Sequence, residues 1–215
     1  MEKFCAILSG GEFSQPEGIQ NADFVIACDR GYAYAKRLGI VPDLFIGDFD
    51  SLAESLPESV PALDLPCEKD DTDTMAAVRY AVGKGRRQIV LYCALGGRLD
   101  HLLGNLQAAA YAVRQGARVE IRDEANRIWL LQNGELTLPR LPGYSLSLLA
   151  VSDICKNVSV CGVKYPLDEA TLTNSFPIGV SNEWRGDAQI RVGEGVLMVI
   201  CSKMSEAAEE TPQSR

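Results

Sequence analysis

Clusters of histidine and cysteine are missing from this sequence of 215 residues. It has a single histidine, and its seven cysteines form no C-x-x-C pair, so we do not expect a zinc site. Most of the cysteines lie in apolar runs, where a free thiol behaves as a small hydrophobic side chain. Their odd number and an N-terminal segment without an apolar signal-peptide core predict reduced thiols in a cytoplasmic protein.

Long apolar runs and clusters of basic residues are missing as well. No stretch approaches the roughly 18 apolar residues that a membrane span needs. The net charge is -8, and the basic residues form no patch, so we expect neither a membrane nor a nucleic acid as a partner. With 47% hydrophobic and 23% charged residues, the composition is that of a globular protein with a substantial core.

The pattern of apolar residues changes along the chain. In its first half, short strand-like runs alternate with helical segments, which is typical of an α/β fold. Beyond Asn126, short alternating runs separated by glycine and proline replace that pattern, as in a β-sandwich or barrel. We therefore predict an α/β N-terminal domain with a mainly parallel sheet, residues 1–124, and an all-β sandwich C-terminal domain, residues 125–204. We expect residues 205–215, which are polar and charged, to form a flexible tail.

Two carboxylates follow a predicted buried strand in the stretch Pro42–Leu52. Leu44–Ile46 has the length and composition of the strand, and Asp48 and Asp50 come directly after it. Residues two apart in an extended chain point the same way, and paired carboxylates repel unless a proton or cation lies between them. Mg²⁺, which prefers oxygen ligands, would satisfy them. The alternative is a polar loop that caps the following helix.

A second acidic cluster, Glu68–Thr74, precedes a helical pattern. Asp71, Thr72 or Asp73 can cap that helix, and acidic residues suit the positive end of its dipole. The cluster holds four acids, which is more than capping requires. Part of it is therefore predicted to take part in binding or catalysis.

A glycine pair separates the predicted buried strand 88–95 from the helix that follows it. A strand, two glycines and a helix N-terminus let backbone N–H groups approach a phosphate. In the segment Gly96–Arg98 the arginine adds a fork-shaped donor for phosphate, and Asp100 adds another acid. The alternatives are a tight turn with Asp100 as the helix cap and His101 as an ordinary neighbour. The glycine pair after the first predicted strand, Gly10-Gly11, is a weaker signal of the same kind.

In the second half, Ser181 and Asn182 can hydrogen-bond a small polar ligand, and Trp184 can stack on a flat ring. Taken alone, this segment favours an ordinary turn with a half-buried tryptophan.

In order and spacing, the motifs resemble those of the thiamine pyrophosphokinase family. The matching segments are Gly47–Ser51, Asp70–Asp73, Gly96–His101, Gly162–Tyr165 and Ser181–Asn182. The resemblance implies that the pyrophosphoryl group of ATP is transferred to the hydroxyl of thiamine, which gives thiamine diphosphate and AMP. It also implies a homodimer whose active sites lie between the α/β domain of one subunit and the β domain of the other.

Residue roles follow from the same resemblance. The expected Mg²⁺ ligands are Asp48, Asp50, Asp73 and Asp100, which together with Arg98 form the expected catalytic set. The residues expected to contact ATP are Asp29, Arg30, Gly31, Lys69, Asp71, Thr72, Gly96, Gly97 and His101. Thiamine is expected to contact Ser181, Asn182 and Asp100.

The sequence departs from the family in two places, and two other functions remain open. Many members have Asp-Gly-Gly where this chain has Asp29-Arg30-Gly31, and many have tryptophan at the position of Tyr165. The first competing function is that of another Mg²⁺-dependent nucleotide transferase with an Asp-x-Asp site. The second is that of a non-catalytic thiamine or nucleotide sensor.

Overall fold

The computed structural model describes residues 3–47, 57, 60–64 and 71–204. The chain divides into two compact units, Met1–Glu124 and Ala125–Arg215. Among the described residues, strand pairs are parallel in the first unit and antiparallel in the second. The predicted α/β class is therefore confirmed, as a mostly-strand fold with mixed pairing. None of the described helices is long and apolar enough to cross a membrane.

The first unit is a parallel sheet with helices in the connections. Its elements are β1 (Cys5–Leu8), β2 (Phe24–Cys28), α1 (Gly31–Arg37), β3 (Leu44–Gly47), β4 (Ala62–Asp64), α2 (Asp73–Gly83), β5 (Gln88–Tyr92), α3 (Leu99–Arg114) and β6 (Arg118–Arg122), with a short 3-10 helix at Ile19–Asn21. The strands lie in the order β6-β5-β1-β2-β3-β4. Since the sheet is parallel, β1, β2 and β5 all end at the same edge.

Burial explains why these segments are strands. All four residues of β1 and of β3 are buried, and so are four of the five residues of β2 and of β5. Continuous apolar runs of this kind are typical of parallel strands that are covered on both faces. The polar residues that follow each strand therefore gather at the edge of the sheet, where the apolar runs stop.

The second unit is all β. Its strands are β7 (Asn126–Leu138), β8 (Tyr144–Ala150), β9 (Ile154–Val163), β10 (Leu167–Thr173), β11 (Gly179–Asn182) and β12 (Trp184–Lys203). They surround one apolar core, which includes Leu146, Val160, Ile190 and Leu197.

The strand β12 has 20 residues and pairs with three other strands of this unit. β12 pairs with β7 along most of its length, with β9 through its first part and with β8 through its second part. The register against β7 shifts between Val192 and Val196. Because the pairing through β12 is continuous, the strands form one connected sheet, which differs from the two separate sheets of the predicted sandwich.

Candidate active site

A cleft of about 640 Å³ lies in the first unit, at the edge where β1, β2 and β5 end. Residues that follow these three strands line it, together with the first residues of α2 and α3. Open α/β sheets bind their ligands at this edge. The predicted site residues that border the cleft are Asp29, Arg30, Thr72, Asp73, Gly96, Gly97, Arg98 and His101.

Buried polar side chains hold the helices against the strand ends beneath the cleft. Thr74 of α2 donates from Oγ1 to Oγ of the fully buried Ser9, at 3.1 Å. Asn105 of α3 donates from Nδ2 to the carbonyl oxygen of Ala94, at 2.8 Å. These bonds cross between elements, so they fix both helices relative to the sheet.

The loop after β1 forms one wall. The N–H groups of Gly11 and Glu12 donate to the carbonyl oxygens of Cys93 and Leu95, at 2.9 and 3.1 Å. A Cβ atom on Gly11 would lie 2.5 Å from the Cys93 oxygen, so this close approach requires glycine. Tyr34 of α1 donates its hydroxyl to the carbonyl oxygen of Gly11 at 2.7 Å, which ties the helix to the loop.

Sequence reasoning missed several residues that line the cleft. Glu12, Phe13, Tyr34 and Asn105 border the cleft, and none of them was predicted to be functional. The glycine pair after the first strand is the sequence signal for this part of the cleft, and it is weaker than the pair before α3.

Asp29 follows β2 in an unusual conformation. Its φ of 46° lies in the left-handed region, which costs a residue with a side chain about 1 kcal/mol or more. Its Oδ1 atom is buried and, among the described residues, has no hydrogen-bond partner. Strained backbone and an unsatisfied carboxylate at a cleft both indicate a functional role.

The two residues after Asp29 behave differently from each other. Arg30 is exposed at the cleft, and its guanidinium carbon lies 6.0 Å from the ring centroid of Tyr34. Burial raises the pKa of the Tyr34 hydroxyl, and the Arg30 charge opposes this with a smaller effect. Gly31 is buried as the first residue of α1 and is not among the cleft-lining residues. It packs the helix against the end of β1.

The structure shows which residue caps the N-terminus of α2. Thr72 is the N-cap, and its side chain accepts a hydrogen bond from the Met75 N–H at 3.2 Å. Asp73 is the first helical residue and borders the cleft. Asp71 forms an ion pair with Arg79 and is not among the lining residues, so the acids of this segment have separate environments.

The loop before α3 forms another wall. Gly96 and Gly97 have φ values of 72° and 67°, and a Cβ atom on Gly96 would lie 2.5 Å from a Glu12 carboxylate oxygen. Arg98 donates from Nη2 and Nε to the two oxygens of Asp100, at 2.6 and 3.2 Å. This bond lowers the pKa of Asp100, whose Oδ1 also accepts from the His101 N–H at 3.0 Å.

Part of the predicted site falls outside the described residues. Asp48, Asp50 and Lys69 are in this group, so their proposed roles stay predictions. Within residues 3–47, 57, 60–64 and 71–204, no group of three His, Cys, Asp or Glu side chains lies close enough to hold a metal ion.

In the second unit, the predicted thiamine residues have structural contacts of their own. Asn182 accepts from the Tyr165 N–H at 3.0 Å and donates to the Tyr165 carbonyl oxygen at 2.7 Å. Ser181 has a φ of 59°, and its N–H donates to the Ser147 hydroxyl. Trp184 is only 8% exposed, begins β12 and belongs to the apolar core, so its ring is buried more deeply than the half-buried tryptophan of the turn interpretation and is not open to ring stacking.

The fold and the cleft are typical of α/β proteins that bind phosphorylated ligands at the carboxyl edge of a parallel sheet. The family model "Thiamin pyrophosphokinase, catalytic domain" matches residues 16–121. The model "Thiamin pyrophosphokinase, vitamin B1 binding domain" matches residues 133–197. The chain belongs to the thiamine pyrophosphokinase family. Both the resemblance inferred from the motifs and the prediction of an enzyme of this family are confirmed.

Individual relatives agree with this result. The thiamine pyrophosphokinase of Bacillus subtilis (strain 168) is 29% identical over 184 residues, which are 82% of this chain and 86% of that protein. A crystal structure of the Bacillus subtilis enzyme superposes with a TM-score of 0.81 at 25% identity, covering 94% of this chain and 99% of that one. The crystal structure of thiamin pyrophosphokinase from Geobacillus thermodenitrificans gives a TM-score of 0.82 at 28% identity, with the same coverage.

Proposed function

We propose that this chain transfers the pyrophosphoryl group of ATP to thiamine. The thiamine hydroxyl oxygen attacks the β-phosphorus of ATP, the bond from that phosphorus to the α–β bridging oxygen breaks, and AMP leaves with that oxygen. The hydroxyl proton passes to a base. The observation that carries the proposal is the match of a catalytic and a vitamin B1 binding model, in that order, with most residues of the described cleft inside the first matched segment.

The two units take different parts in this proposal. Residues 1–124 form the α/β catalytic domain with a mainly parallel sheet, and residues 125–204 form an all-β domain that binds thiamine. The parallel pairing of the first unit and the antiparallel pairing of the second support this division. Ser181 and Asn182 contact thiamine in this proposal, with Asn182 keeping its bonds to Tyr165.

Mg²⁺ is bound by Asp48, Asp50, Asp73 and Asp100 in our proposal. Carboxylate oxygens suit this hard cation, and the position of Asp73 at the cleft supports the assignment. When bound, the ion would neutralise charge on the ATP phosphates. Asp100 can bind the ion only if its hydrogen bonds to Arg98 break. The Arg98 guanidinium is then available to bind the phosphates.

The glycine pair before α3 receives the phosphates. The 16 residues of α3 give a helix whose N-terminus carries partial positive charge. Gly97 has no side chain to obstruct the approach, whereas the Glu12 carboxylate lies beside Gly96. Arg98 and His101 border the cleft at the same place. Phosphoryl transfer depends mainly on such positioning and charge neutralisation.

We also propose a homodimer in the cytoplasm. Phe176, Ile178 and Val180 lie at or beside β11 and are 68%, 51% and 52% exposed, which is unusual for large apolar side chains and suits burial against a second copy. Cys5, Cys93, Cys155 and Cys161 are free thiols, as expected in a reducing compartment.

The experiment is product analysis with purified protein, ATP, Mg²⁺ and thiamine. Thiamine diphosphate and AMP in equal amounts are expected. ADP with thiamine monophosphate would change the reaction to transfer of a single phosphoryl group. No thiamine product from a folded, ATP-binding protein would favour the Asp-x-Asp transferase.

A substitution separates the enzyme from a sensor. Asp73→Asn is expected to lower turnover by about a hundredfold or more, because the variant removes a carboxylate at the cleft. Asp23→Asn is the matched control, since Asp23 pairs with Arg86 and is not among the cleft-lining residues. Equal activity of the two variants would contradict the role of Asp73.

A further inference from the structure

We propose that the wall formed by Phe13 and Tyr34 binds the nucleoside of ATP, with the base stacked on the Phe13 ring and a sugar hydroxyl bonded to Asp29. The triphosphate then extends towards the N-terminus of α3. This inference rests on the proposed use of ATP, and it assigns a function to aromatic residues that the sequence motifs did not include.

Phe13 is held as a platform at the cleft. Its ring centroid lies 5.2 Å from that of Tyr34 in an edge-to-face contact. The guanidinium of Arg37 lies 3.9 Å from the Phe13 centroid and so covers one face of the ring. Phe13 borders the cleft, which Arg37 does not, and it also packs against the apolar core of the first unit. A planar base can therefore stack on a ring that is already fixed from behind.

Tyr34 makes the platform rigid. Its hydroxyl is bonded to the carbonyl oxygen of Gly11, two residues before Phe13. The N–H of Glu12, the residue between them, is bonded to Leu95. A wall with its backbone and ring already in place loses little conformational entropy when a ligand binds.

Asp29 distinguishes the two ends of the nucleotide. Its carboxylate is next to the space left by the missing side chain of Gly10, since a Cβ atom there would lie 3.5 Å from Asp29 Oδ2. A carboxylate accepts hydrogen bonds from sugar hydroxyls but repels phosphates. The sugar is therefore favoured beside Asp29, whereas the phosphates are favoured at Gly97 and Arg98.

The chain contains a matched control for Phe13. Phe24 lies beneath the Arg86 guanidinium with the same centroid distance, 3.9 Å, in the same unit, and it is not among the cleft-lining residues. Phe13→Leu and Phe24→Leu therefore remove the same kind of ring and cation pair, and only Phe13→Leu changes the cleft.

The test measures two ligands that separate the ends of ATP. AMP carries the nucleoside, and inorganic tripolyphosphate carries only the phosphate chain; each is titrated calorimetrically in the presence of MgCl₂. We expect Phe13→Leu to weaken AMP binding about tenfold and leave tripolyphosphate binding unchanged. Phe24→Leu should bind both ligands as the wild type does.

Further variants separate the sugar from the ring. The wild type should bind AMP more tightly than 2′,3′-dideoxy-AMP, and Asp29→Asn should lose that preference. Tyr34→Phe keeps the ring and loses only the bond to Gly11, so it should weaken AMP binding severalfold. This variant replaces Phe13→Leu in the test if Phe13→Leu fails to fold.

Other results would overturn the inference. Equal weakening of AMP and tripolyphosphate by Phe13→Leu would mean that the ring only supports the loop. If Phe13→Leu weakened thiamine binding and left AMP binding unchanged, the wall would bind the thiamine ring instead. Either result leaves the proposed function intact, whereas a wild type that binds neither AMP nor tripolyphosphate would overturn both.

Discussion

Gly31→Ala tests how the first helix supports the cleft. A Cβ atom at Gly31 would lie 2.0 Å from the carbonyl oxygen of Leu8 and 2.7 Å from its carbonyl carbon. Contacts of a real Cβ atom are rarely below 3.0 Å, so α1 must move by about 1 Å away from the end of β1. Overpacking of this kind costs about 1–3 kcal/mol, and the rigid backbone of Leu8 places the expected loss near the upper limit.

The same movement should reach the cleft. Asp29, Arg30 and Tyr34 all lie at or near the N-terminal end of α1, and the Tyr34 hydroxyl bond to Gly11 is only 2.7 Å long. We therefore expect Gly31→Ala to lower the free energy of unfolding, measured with urea, and to weaken ATP binding.

Gly83→Ala provides the control. Gly83 ends α2, no atom lies within 4 Å of the added Cβ, and its φ is not positive. The added methyl reduces the entropy of the unfolded chain, so we expect a gain of about 0.5–1 kcal/mol and unchanged ATP binding. If Gly31→Ala were as stable as the wild type, the packing of α1 on β1 would not be the constraint that we infer.

Two further predictions concern stability alone. Thr72→Ala removes the N-cap bond to Met75 and should cost about 1 kcal/mol of unfolding free energy, whereas Thr72→Ser should retain most of it; equal loss in both would contradict the cap. Burial raises the pKa of the Cys5 thiol from 9.0 to about 12, so the folded state favours the neutral thiol. The stabilisation that results from this pKa difference is complete below pH 9. As the pH rises from 9 towards 12, the free energy of unfolding falls by up to about 4 kcal/mol. Cys5→Ala should show a smaller fall in stability between pH 9 and 11, and an identical fall would show that another group is responsible.

The α/β class and the change of pattern near residue 125 were predictable because they depend on local periodicity. The edge position of Asp73, Gly96 and Arg98 was predictable for a related reason, since each follows a buried strand or begins a helix. The choice of cap was not, because Thr72 and its acidic neighbours all carry side-chain acceptors and only the backbone conformation selects one.

The first wall of the cleft depends on long-range geometry. Phe13 and Tyr34 are far apart in sequence from the glycine pair before α3, and the parallel pairing of β1 with β2 and β5 brings them to the same edge. The connected sheet of the second unit could not be predicted either. It depends on the pairing of β12 with several strands, and the register of β12 shifts between Val192 and Val196.

The register shift in β12 determines where this strand can tolerate an inserted or deleted residue. Side chains alternate between the two faces of a strand, so inserting or deleting one residue inverts every side chain beyond it. In β12 such a change would act on its pairing with β7, β8 and β9 at once. The segment 193–195, where the register already slips, is the part of β12 that absorbs a change in length at the lowest cost.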